Sequence, residues 1–123
     1  MTVPKEFSLF LHSEGRPLAE INPGSEEHAL KPAAALKALD LLADTDIPIL
    51  GGDVLNESLG ELRYTYENWY CERLPGESTR AFANRSRLVA RQFIGKLNMR
   101  DEKNLLVVLV YTDPQCGTKS PSR

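Results

Sequence analysis

The run Leu105–Tyr111, LLVVLVY, narrows the possible folds of this chain more than any other stretch. Seven consecutive apolar residues leave no polar face for water, so the run reads as a strand covered on both sides. It is far short of the ~18 apolar residues a membrane span needs. A doubly covered strand requires partner strands at its edges and other elements stacked above it. The rest of the 123 residues must supply them.

Three segments carry helical spacing. Thr2 caps and Pro4 opens a first helix, whose Val3, Phe7, Phe10 and Leu11 recur on one side and which Gly15 and Pro17 stop. A second helix spans Pro32–Ala43, with Pro32 in the first turn and Leu36, Leu39, Leu42 and Ala43 as its core stripe. A third and longest runs Thr79–Asn98 behind the cap Ser78. Phe82, Ser86, Val89, Phe93 and Leu97 face its core side, and Arg80, Arg87 and Arg91 the opposite side.

Between the last two helices lies Ile47–Ser78, which holds the only Trp, three of the four Tyr, the Gly51-Gly52 pair and a run of carboxylates. Ile47–Leu50 reads as a strand, with the glycines marking a bulge, a bend or a close approach by other backbone. Asn56–Gly60 reads as a loop, and Glu61–Tyr66 alternates as a second strand with Leu62, Tyr64 and Tyr66 on one face. Strict alternation then puts Trp69 with the polar residues. Either an irregularity at Glu67-Asn68 turns it toward cover, or the Trp is exposed.

The expected architecture is α+β, in the order α-α-β-β-α-β, with helices packed on a small sheet of about three strands. Residues 1–112 form one domain and 113–123 a flexible tail. Two cysteines, Cys71 and Cys116, are too few for a disulfide framework, and the start of the chain lacks a signal-peptide pattern, so a reduced cytoplasmic protein is expected. A net charge of −2 gives no electrostatic reason to bind nucleic acid.

No catalytic set stands out. His12 and His28 fall in no metal-ligand spacing, and Gly51-Gly52 is followed by neither nucleotide-binding fingerprint. Cys71 with a histidine, or the carboxylate pairs Asp53/Glu57 and Glu67/Glu72, would be the parts of a small enzyme. The Arg80-Arg87-Arg91 face would be the part of a nucleic-acid or regulatory binding module. A third alternative is a structural subunit with the Trp69 surface as its oligomer interface. What the loop acids make with Tyr64, Tyr66, Trp69 and Tyr70 is an acidic-aromatic segment, the composition of a protein interface.

Three motifs carry a resemblance: A-L-K-A-L-D-L-L at Ala35–Leu42, I-P-I-L-G-G-D-V at Ile47–Val54, and Y-x-N-W-Y at Tyr66–Tyr70. With R-S-x-x-x-A-x-x-F-I at Arg85–Ile94, the chain resembles small bacterial immunity proteins of polymorphic-toxin and contact-dependent-inhibition systems. The resemblance spans roughly Leu18 to Ile94. It implies a cytosolic, non-enzymatic protein without cofactor or metal, which binds the toxin domain encoded beside it and blocks its activity. Occlusion of the toxin's active site or substrate channel is the expected mechanism, and a monomer or weak dimer the expected state. Neither nucleic acid nor membrane is implied as a partner. Within that reading Asp53, Glu57, Tyr66, Glu67, Trp69 and Glu72 are the expected contact residues. If the shared motif is scaffold, Gly51, Gly52, Asp53, Asn68 and Trp69 instead hold the sheet, and loop residues such as Asn56, Glu57, Glu67 and Glu72 meet the toxin.

Overall fold

In the computed structural model, which describes residues 3–112, Leu105–Tyr111 is the central strand of a five-stranded antiparallel sheet. The Thr2 cap, Cys116 and the tail expected at 113–123 lie outside the described residues. The elements are α1 (Lys5–Glu14), β1 (Arg16–Pro17), a 3-10 turn at Leu18–Glu20, β2 (His28–Leu30) and α2 (Pro32–Leu41). They continue with β3 (Ile49–Ser58), β4 (Glu61–Tyr70), α3 (Thr79–Asn98) and β5 (Leu105–Tyr111). The sheet order is β1-β2-β5-β3-β4, so β3 and β4 form a hairpin and α3 carries the chain across to the far side of β3.

The α+β class holds, but the sheet has two strands more than the roughly three expected. β1 and β2 are two and three residues long, too short to leave a periodic pattern. They form because β5, apolar on both faces, must also be paired at its other edge: Ala29 faces Val108 and Leu30 faces Val107. The loop expected at Asn56–Gly60 is also corrected. β3 runs to Ser58, because Asn56 pairs with both Leu105 and Arg63, and a strand paired on both sides overrides weak strand propensity. Only Leu59 and Gly60 turn the chain.

The helices form one layer on one face of the sheet. Phe7, Leu11, Leu39, Ala90, Ile94 and Leu97 meet Leu30, Val54, Val107 and Leu109 in a single cluster. α2 presents Ala35, Ala38, Leu39 and Leu42 to this core, with Leu36 only half-buried and Ala43 exposed. The small alanines let α2 lie close between its neighbours. Ser78 caps α3 as expected, its Oγ accepting from Ala81 N at 3.1 Å. Ser86 stitches α3 to the sheet, accepting from Ile49 N at 3.0 Å and donating to Ala83 O.

The arginine face of α3 is corrected more sharply. Since α2 lies alongside α3, the side opposite the sheet contacts is not simply solvent. Arg87 is buried and donates to the carbonyls of Ile47 at 2.7 Å and Thr45 at 3.0 Å. Arg80 pairs with Asp46, and Arg91 with Asp40 at 2.6 Å. All three tie α3 to α2 and to the turn behind it.

The opposite face of the sheet is covered only in part. Leu18 and Ile21 lie over Ala29, Leu55, Leu62, Leu106 and Val108. Beyond them, toward the outer edge of β4, no helix among the described residues lies above the sheet.

Candidate interaction surface

The uncovered end of the sheet is shaped by an irregularity in β4. Asp53 faces Asn68 and Leu55 faces Tyr64, so two steps along β3 span four along β4. The extra residues bulge at Tyr66, whose φ of 68° is left-handed. Thr65 holds the bulge, its Oγ1 donating to Val54 O at 2.8 Å and accepting from Glu67 N at 3.1 Å.

An even number of extra residues preserves the alternation of faces. Trp69 therefore points where Arg63 and Thr65 point, and that is the helix side. The irregularity lies nearer Tyr66 than the expected Glu67-Asn68. Trp69 gains its cover because Leu62 and Trp69 are buried by different layers on opposite faces. It is 7% exposed and stacks on Phe93 with ring centroids 4.6 Å apart. The glycine pair makes room for it. A Cβ on Gly52 would lie 2.4 Å from the indole edge, and one on Gly51 would lie 2.2 Å from Trp69 O. The close approach and the bulge readings of the pair both hold, since the β3–β5 register also shifts between Ile49 and Gly51.

With Trp69 below, the outer side carries Asp53, Tyr64, Tyr66, Asn68 and Tyr70. Tyr66 is 87% and Tyr70 72% exposed. Asn22, from the turn before β2, joins Asp53, Tyr64, Tyr66, Glu67 and Asn68 around a shallow depression of about 280 Å³. Burial, then the nearby charges of Asp53 and Glu27, push the Tyr64 phenol upward, so it stays a neutral hydrogen-bonding group.

Of the six residues expected at the contact, Asp53, Tyr66 and Glu67 therefore share one depression. Glu57 stands nearer the hairpin tip, where Arg16 bridges it to Glu20. Glu72 is exposed past the end of β4. Trp69 faces the core beneath them. The acids are less free than the sequence suggests: Glu67 accepts two bonds of 2.9 Å from Arg100, which hold its carboxyl below the usual range. A general acid needs the opposite shift. Sequence reasoning passed over Arg16, Arg100 and Leu59, residues whose roles come from partners distant in sequence or from backbone geometry.

The remaining chemistry-bearing groups are placed as follows. Cys71 is buried, with Sγ 3.2 Å from Arg85 Nη1. The rings of His12 and His28, sixteen residues apart in sequence, meet edge to face at 4.6 Å, and burial followed by the His12 charge depresses His28. Among the described residues no three His, Cys, Asp or Glu side chains converge as a metal site, and no helix is long and apolar enough to cross a membrane.

Behind β4, Arg85 straps the connector to α3. It donates to both oxygens of the nearly buried Glu77, at 2.8 and 2.9 Å, and to Glu72 O. The Arg85 bonds, then the Leu74 N–H, hold the Glu77 carboxyl at about 2, against an ordinary 4.5. A depressed carboxyl stabilises the fold fully above its unfolded value and loses that contribution as pH falls through the folded one. Thermal melts of the native chain and of Glu77→Gln should therefore converge as pH drops from about 4.5 to 2. A constant gap across that window would remove the ion pair from the account.

A family model described as Immunity protein 40 matches residues 17–111, which is β1 through β5. No curated protein and no solved structure matches the chain.

Proposed function

The chain belongs to the Immunity protein 40 family, and on that premise we propose that it is a cytoplasmic antitoxin that binds and occludes a cognate toxin domain. The reading extends to a polymorphic-toxin or contact-dependent-inhibition system, with the protein acting stoichiometrically, without catalysis, as a monomer or weak dimer. Asp53, Glu57, Tyr66, Glu67 and Glu72 make the contact, and Trp69 fixes the surface from behind.

The observation that carries this reading is the pair of exposed tyrosines, Tyr66 and Tyr70, on an edge strand at the uncovered end of the sheet. Tyrosines that a fold leaves in water beside a depression lined with polar groups are the usual anchors of an interface. They stand on a hydrogen-bonded strand of a sheet backed by helices, an arrangement that limits the backbone ordering entropy lost on binding.

Deleting the gene in its native cell, alone and together with the adjacent toxin gene, tests the proposal. The single deletion should be self-inhibited or lost among toxin-bearing siblings, and the double deletion should grow. Normal growth of the single deletion would remove the antitoxin role.

A further inference from the structure

We infer that Leu59 is an anchor of the toxin-binding surface, held at the tip of the β3–β4 hairpin for insertion into an apolar socket on the toxin domain. The inference rests on the antitoxin reading and adds to its surface a residue that composition and pattern do not mark.

Leu59 and Gly60 form a two-residue hairpin loop with φ of 53° and 81°. Loops with both φ positive favour Asn, Asp or Gly at the first position, because a Cβ crowds the following carbonyl in left-handed backbone. Leucine is disfavoured there, and its side chain gains no burial in return, being 99% exposed. The position is thus unfavourable both for the backbone and for the solvent-facing side chain.

The same coincidence recurs once. Among the described residues three non-glycines have positive φ: Asp44, a type that tolerates it, Leu59 and Tyr66. Leu59 and Tyr66 are also the two most exposed of the large hydrophobic side chains among the described residues. Both lie on one hairpin, Leu59 at its tip and Tyr66 at the bulge of β4. Strained backbone persists where its surroundings over-determine it. At the tip that role belongs to Arg16, whose guanidinium bonds the Gly60 carbonyl and the Glu57 carboxylate. The backbone that carries the leucine is thereby held before any partner arrives, which lowers the ordering cost of insertion. A saturated side chain with no polar atom matches an apolar socket and no other kind.

The test measures stability and affinity on the same variants of the full chain, using the toxin domain encoded beside this gene as the probe. Leu59→Asn and Leu59→Gly relax the backbone, so the thermal midpoint should rise by a few degrees. Their affinity for the toxin domain should nonetheless fall about tenfold or more. Leu59→Met, which keeps the apolar volume, should bind within about threefold of the native chain. Asparagine and glycine variants that bind like the native chain would overturn the anchor, and so would affinity losses that track losses of thermal midpoint. Concentration-dependent dimerisation abolished by Leu59→Asn would assign the tip to a second copy instead. Failure of the native chain to bind the toxin domain at all would overturn the antitoxin reading itself.

Discussion

Trp69→Ala is expected to lower folding stability by about 3–5 kcal/mol, the range for deleting a buried large aromatic. The indole stacks on Phe93 and fills the space that Gly52 leaves above β3, while Gly51 admits the Trp69 backbone. With the ring gone, neither glycine can supply atoms to the void, so the site collapses poorly. The indole nitrogen is itself buried without a hydrogen-bond partner, so its removal strands no other polar group. The loss is one of packing. Denaturant unfolding should show a lower midpoint with an unchanged slope. If Trp69 supports the surface from behind, affinity for the toxin domain should fall only as the folded fraction falls. A large affinity loss in a fully folded Trp69→Ala protein would place the ring in the interface.

Arg87→Met is expected to cost about 3 kcal/mol. It leaves the buried carbonyls of Thr45 and Ile47 without their donor, and an unsatisfied buried group costs about 1–3 kcal/mol; the Asn84 side chain also loses its donor but is exposed to water. Relief of the desolvated guanidinium offsets part of that sum; burial is the chief reason its charge is disfavoured there. Lysine is a poor substitute, because one ammonium on a flexible stem does not reproduce the planar fork that bridges three acceptors. Equilibrium unfolding of Arg87→Met and Arg87→Lys checks this, and losses below about 1 kcal/mol in both would mean that water replaces the guanidinium.

The parts of the fold that were legible in the sequence are those with long, regular patterns. The three helices, the cap at Ser78, the stop at Gly15 and the doubly covered strand at Leu105–Tyr111 all follow from spacing and capping chemistry. β1 and β2 did not, since strands of two and three residues exist only because β5 requires a partner. The arginine face of α3 was misjudged for a related reason: helical spacing defines a face but not the neighbouring helix that covers it. At the surface, the aromatic and acidic residues of Ile47–Ser78 were visible as a composition. Their arrangement depends on the Tyr66 bulge, and on Arg16 and Arg100 reaching across the fold to neutralise Glu57 and Glu67. Leu59 was invisible because its distinguishing property is a backbone angle.

The central claim is that a toxin domain docks on the β3–β4 end of the sheet, and hydrogen–deuterium exchange on the complex tests it most directly. In the free protein the outer edge of β4 has no strand partner among the described residues, so its outward amides should exchange fast relative to those of β5 at the centre. On adding the toxin domain encoded beside the gene, slowing should concentrate in residues 53–72, including the Leu59-Gly60 tip, with α1 and α2 unchanged. Protection confined to the helical layer, with β4 exchanging as before, would contradict the account.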